Sequence, residues 1–171
     1  SGNIKDNSYV SFGEAMQKLE DNGVSPNIAS YLGAATVRIQ EIGYANRKAT
    51  DEEMESMREI VKSAMEEGAI GIGSSLIYAP GDYADTDELI ELSKVASSYG
   101  GRYISHMRNE DSRILSAVDE LIEIAEKADI PAEIYHLKAS RKANYHLLDS
   151  VISRVEEARS RGLKITADMY T

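Results

Sequence analysis

The chain has 171 residues, enough to bury one core, and its 42% hydrophobic and 28% charged content is that of a soluble globular protein. A net charge of −10 opposes any polyanionic partner, because nucleic acid is bound by Lys and Arg displacing counterions from phosphates. The absence of cysteine removes disulfides and thiolate metal sites within the chain, and no apolar run is long enough to span a membrane.

The opening residues, SGNIKDNS, have neither the basic start nor the apolar stretch of a signal peptide, so a soluble, cytoplasmic protein is expected. Ser-Gly in place of an initiator methionine reads as a tag remnant or as the start of a piece cut from something longer. One helix is expected before the first strand, which is placed at Asn27–Gly33. Next, Asp51–Glu67 sets Met54, Met57, Ile60, Val61, Ala64 and Met65 at helical spacing with carboxylates opposite, and Thr50 with Glu53 forms a capping box at its start. The second strand is expected at Ala69–Ser74. The glycines of GAIGIGSS there lie before and inside the strand and do not open a helix, so the context of a dinucleotide loop is missing.

Thr86 is expected to cap DELIELSKVASS, with Gly100 and Gly101 as its stop. Arg102–His106 is the third expected strand, and Asp111 or Ser112 is expected to open the helix that follows it. Ala132–His136 is the fourth strand, Tyr145–Arg161 the last helix, ended by Gly162, and Lys164–Asp168 the fifth strand. Strand starts fall roughly 30 to 40 residues apart, the length of a strand plus a helix and two turns. The α/β pattern means parallel strands covered by helices, either an open doubly wound sheet or part of a (β/α)8 barrel.

Two histidines stand at the same place in successive repeats: His106 ends the third strand-like run and His136 the fourth. At the carboxyl ends of neighbouring parallel strands, side chains of equal parity converge, and neutral imidazole is a good ligand for zinc and similar ions. Either histidine alone reads as an ordinary hydrogen-bonded residue; the pair in register reads as a metal site. His146, between Tyr145 and Leu147 at a helix start, reads as surface. Tyr78, Arg108, Glu110, Lys138, Asp168 and Tyr170 share the same rim, where a cation, phenols and carboxylates suit an anionic, amide-like substrate. Arg108 is expected to pair with Glu110. Strand parity with His136 pointing inward puts Glu133 on the helix-facing side.

Taken together, GAIGIGSSLIYAPG, YGGRYISHMRNE, AEIYHLKAS and KITADMYT resemble, in order and spacing, the N-acyl-D-amino-acid deacylase (D-aminoacylase) group of the amidohydrolase superfamily, from about Pro26 onward. The resemblance implies a single segment of a TIM barrel, strands three to seven over residues 1–171, with no second domain. It implies zinc or a similar divalent metal, with His106 and His136 as the ligands from strands five and six. Tyr78, Lys138 and Tyr170 would hold the scissile carbonyl and the carboxylate of a small N-acyl amino acid. The family's His-x-His, bridging Cys and catalytic Asp have no counterpart here, so no catalytic residue is assigned and the chain alone is expected to be inactive. Gly33-Ala34-Ala35-Thr36 and Gly73-Ser74-Ser75-Leu76 also depart from the common pattern of relatives, which leaves the substrate open. The alternative is a non-catalytic α/β module that binds or self-associates through open sheet edges.

Overall fold

The structure, a computed structural model, describes residues 10–170; the opening SGNIKDNS lies outside the described residues. Five parallel strands, β1 (Leu32–Gly33), β2 (Gly71–Ser75), β3 (Arg102–His106), β4 (Ala132–Ile134) and β5 (Ile165–Ala167), pair in sequence order. Each neighbour is reached through helical connections, α2 (Ala34–Ile42) with α3 (Asp51–Glu66), then α4 (Thr86–Ser98), α5 (Ile114–Lys127) and α6 (Leu148–Ser160). The order never reverses, as it would at the switch point of a doubly wound sheet, so the arrangement is that of consecutive barrel strands. A helix α1 (Phe12–Asp21) precedes β1, opened by a capping box between Ser11 and Glu14. No helix among the described residues is long and apolar enough to cross a membrane.

The first strand is shorter than expected. β2 begins only at Gly71, so β1 finds partners for Leu32 and Gly33 alone, and the residues from Asn27 to Ala29 stay exposed. α2, which follows at once, was not anticipated. It buries Ala34, Val37, Arg38 and Ile42, and the arginine in that apolar stripe hides the helical period. Arg38 is fully buried because Glu88 on α4 accepts from its Nη1 at 2.5 Å and the carbonyls of Ala45 and Arg47 accept from its Nη2.

The capping box of Thr50 and Glu53 forms at α3 as expected. α4 is instead capped by Asp85, whose carboxylate accepts from the Glu88 amide at 2.9 Å; Thr86 is the first helical residue, and its hydroxyl donates to Glu120. Ahead of α5, Asn109 Oδ1 accepts from the amides of Asp111 and Arg113, so neither Asp111 nor Ser112 is the cap. The last helix starts at Leu148 after a run of 3-10 turns over Lys142–Leu147, later than the expected Tyr145.

The sheet has two unlike faces. Ile72, Tyr103, Ser105, Ala132, Ile134 and Ile165 point at the helices and are all buried there. Within that layer Tyr103 Oη lies 2.7 Å from Ser74 Oγ, which donates to Ser105 Oγ at 2.9 Å, and burial pushes the Tyr103 phenol up to about 12. The other face carries Gly73, Ile104, Glu133 and Thr166 in register; the first three are only partly covered and Thr166 is exposed. Glu133 therefore sits on the open face beside Ile104, accepting from Thr166 Oγ1 at 3.2 Å, and not on the helix-facing side. The parity argument fails because β4 ends at Ile134, before it reaches His136.

Candidate metal centre

His106 is delivered by the strand itself. It pairs with Ser75 across the β2–β3 ladder, and its carbonyl accepts from the Leu76 amide at 3.0 Å. The ladder to β2 thus fixes the backbone that carries the ring. The imidazole is largely buried, and its Nε2 has no hydrogen-bond partner among the described residues. A buried ring nitrogen without a partner is costly to leave so, which makes it the first mark of a ligand position. Burial holds this imidazole below its ordinary value; Glu110 opposes that, while His136 and Lys138 add to it. The neutral ring that results is the form that binds metal ions.

His136 reaches the same place by another route. Its backbone adopts φ 43°, a left-handed conformation that non-glycine residues take rarely, so something must hold it there. Asp168, just past β5, provides the hold. Its carboxylate accepts from the His136 amide, its carbonyl accepts from the Leu137 amide at 2.8 Å, and its own amide donates to the Ile134 carbonyl at 3.1 Å. The two imidazoles end 4.4 Å apart, centroid to centroid, at 80° to each other.

Between them stands Glu110, a buried carboxylate in the loop after β3. Its Oε1 lies 3.1 Å from His136 Nδ1 and 3.8 Å from His106 Nε2, and one ligand atom from each of the three residues lies within 4.8 Å of the others. A tetrahedral ion with bonds of about 2.1 Å spaces its ligands about 3.4 Å apart, so the cluster has the right dimensions for one. Lys138 Nζ now fills the cation position: it donates to Glu110 Oε1 at 2.7 Å and lies 2.8 Å from His136 Nδ1. Because an ammonium only donates, Nδ1 is the acceptor and the proton of a neutral His136 ring lies on Nε2.

The remaining rim residues flank this group. The exposed Tyr78 ring lies 5.6 Å from His106, and the exposed Tyr170 ring lies 5.9 Å from His136 and 5.5 Å from Lys138 Nζ. Tyr135, which the sequence did not single out, packs its ring 4.4 Å from His136. His146 is exposed, in the 3-10 turns before α6. Arg108 does not pair with Glu110; it binds Glu120 on α5 at 2.8 to 3.2 Å, which frees Glu110 for the histidines. Glu110 is thus the residue that sequence reasoning left out of the metal set, although a carboxylate four residues past His106 was a usable signal. Two hollows, of about 350 and 510 Å³, border α1, and neither is lined by a residue of this cluster.

No protein-family model matches the chain. Among curated proteins it is 33% identical over 162 residues to a D-aminoacylase of Alcaligenes xylosoxydans xylosoxydans, an alignment covering 95% of this chain and 33% of that protein. Among solved structures it superposes, with a TM-score of 0.90 and 26% identity, on an N-acyl-D-glutamate deacylase from Bordetella bronchiseptica complexed with zinc and a phosphonate mimic of the tetrahedral intermediate, covering 94% of this chain and 34% of that one. A D-aminoacylase described as defining a novel subset of amidohydrolases gives 0.88 at 29% identity over the same shares. The chain is therefore homologous to D-aminoacylases and N-acyl-D-amino-acid deacylases, and its five parallel strands match part of the barrel of amidohydrolases. It spans about a third of the length of the curated relatives it matches.

Proposed function

We propose that this chain forms the metal-binding and substrate-binding rim of an amidohydrolase that cleaves the amide bond of N-acyl-D-amino acids. The observation that carries the reading is the convergence of His106, Glu110 and His136, with a buried ring nitrogen of His106 left without a partner. His106 and His136 are the proposed ligands, with Glu110 as a third oxygen donor, and zinc fits this nitrogen and oxygen set. The chemistry such an ion supplies when bound is Lewis-acid activation of water and polarisation of an amide carbonyl.

The chain's own residues do the rest of what is assigned here. Lys138, turned away from Glu110, gives the substrate carboxylate a charge-assisted hydrogen bond. Tyr170 lies against the same ammonium and borders the carboxylate position. The Tyr78 phenol, on the His106 side, donates to the scissile carbonyl oxygen as charge gathers on it. Proton delivery to the leaving amine is not assigned to any residue of this chain.

A second reading follows from the position of Lys138: Glu110, Lys138 and His136 as a closed structural ion cluster in a module that associates through the edge strands β1 and β5. Calorimetric titration with zinc separates the two. The metal reading expects stoichiometric binding that His106→Ala or His136→Ala abolishes. The zinc-loaded parent protein that contains this segment is then assayed on N-acetyl-D-amino acids and their L forms, the segment alone being expected to show no turnover. Absence of zinc binding, or a loaded parent protein inert to every acylated amino acid, would overturn the proposal.

A further inference from the structure

We propose that Arg108 is a positioning residue that sets the loop between β2 and α4, and through it the phenol of Tyr78, over His106. This rests on the reading of the rim given above. Arg108 leaves β3 two residues past His106, yet its guanidinium turns away from the cluster. Its Nη1 donates to the carbonyl of Asp82 at 2.9 Å and its Nη2 to that of Ala84 at 2.8 Å, both in the loop that carries Tyr78. The other edge of the fork, Nε with Nη2, grips the carboxylate of Glu120 on α5. Glu120 in turn accepts from Thr86 Oγ1 at 2.9 Å, at the first residue of α4.

The loop passes this hold on to Tyr78. The Asp82 amide donates to the Tyr78 carbonyl at 3.0 Å while the Asp82 carbonyl takes Arg108, so a single peptide segment links the arginine to the tyrosine. Gly81 packs under the end of β2 so closely that a Cβ there would stand 2.5 Å from the Ser75 carbonyl oxygen. The loop is thus pressed down on one side by Gly81 and tied on the other by Arg108. Tyr78, though exposed, keeps its ring 5.6 Å from that of His106. The planar fork of Arg reaches two carbonyls and a carboxylate at once, which a lysine ammonium cannot do.

The test uses the whole chain and compares wild type with Arg108→Met and Arg108→Lys. Hydrogen exchange is read at the amides of Asp82, Tyr83 and Ala84, and NMR is used to detect the through-space contact between the Tyr78 and His106 rings. Arg108→Met is expected to speed exchange at those amides roughly tenfold and to abolish the ring contact, with α3 and α6 unchanged. Arg108→Lys is expected to lie between; should the Met variant not fold, the Lys variant decides. Wild-type exchange, a ring contact that persists, or a loss spread equally over α3 and α6 would overturn the proposal. Neither readout uses metal or turnover, so a chain that holds its loop this way yet binds no zinc separates failure of the proposed function from failure of this one.

Discussion

The two histidines arrive at one point by opposite means. His106 is the last rung of a ladder, held by regular pairing to Ser75 and by the Leu76 amide. His136 lies beyond its ladder, in a left-handed turn, held by the side chain and backbone of Asp168 from the neighbouring strand end. The first is positioned by secondary structure and inherits its precision. The second is positioned by one acidic residue and depends on it, so the two halves of the cluster differ in how easily they can be disturbed.

The largest effect tests what the pair has in common. His106→Ala and His136→Ala should each cost zinc affinity by more than the roughly 10–100-fold typical of losing an outer hydrogen bond, as read by calorimetry. The next separates them. Asp168→Ala should weaken zinc binding by roughly tenfold and alter the His136 ring resonances while leaving those of His106 in place. Equal disturbance of both rings would show that the holds are not separate. Third, His106 should titrate by NMR below the ordinary imidazole range, because burial penalises its charged form. Since its folded value is depressed, its contribution to stability is present above the unfolded value near ~6.5 and is lost as pH falls through the folded one. Acid unfolding of His106→Gln should lack that component. The smallest effect concerns Glu133, which shares the open face but not the cluster. Glu133→Gln should change stability by no more than about 0.5 kcal/mol and leave zinc affinity unchanged.

The same contrast explains what the sequence could and could not reveal. The strands β2 to β5, the helices α3 to α6 and the position of His106 follow from apolar periodicity and glycine stops, which are local signals, whereas the order of the strands is implied by the resemblance to the deacylases. α2 was missed because its buried stripe includes Arg38, an apolar position in packing that is occupied by a charge paired fifty residues away with Glu88. Glu133 was put on the wrong face because parity was counted through His136, and a positive φ after the strand ends breaks the count. Glu110 was matched with Arg108 on proximity along the chain, whereas the arginine's real partners lie on α5 and in the β2–α4 loop. In each case the deciding partner is distant in sequence, and no local pattern encodes it.

The hydroxyl chain of Ser74, Tyr103 and Ser105 on the helix-facing side sets how the fold meets alkali. Tyr103 keeps its proton up to about 12 in the folded chain, against ~10 for a tyrosine in an unfolded one. Between those values the native state binds the proton that the denatured state has released, so the stabilisation is whole below ~10 and drains away as pH rises toward about 12. A spectroscopic base titration should therefore show the Tyr103 tyrosinate appearing only toward about 12, together with the collapse of the layer between the sheet and the helices. Tyr103→Phe would remove that step.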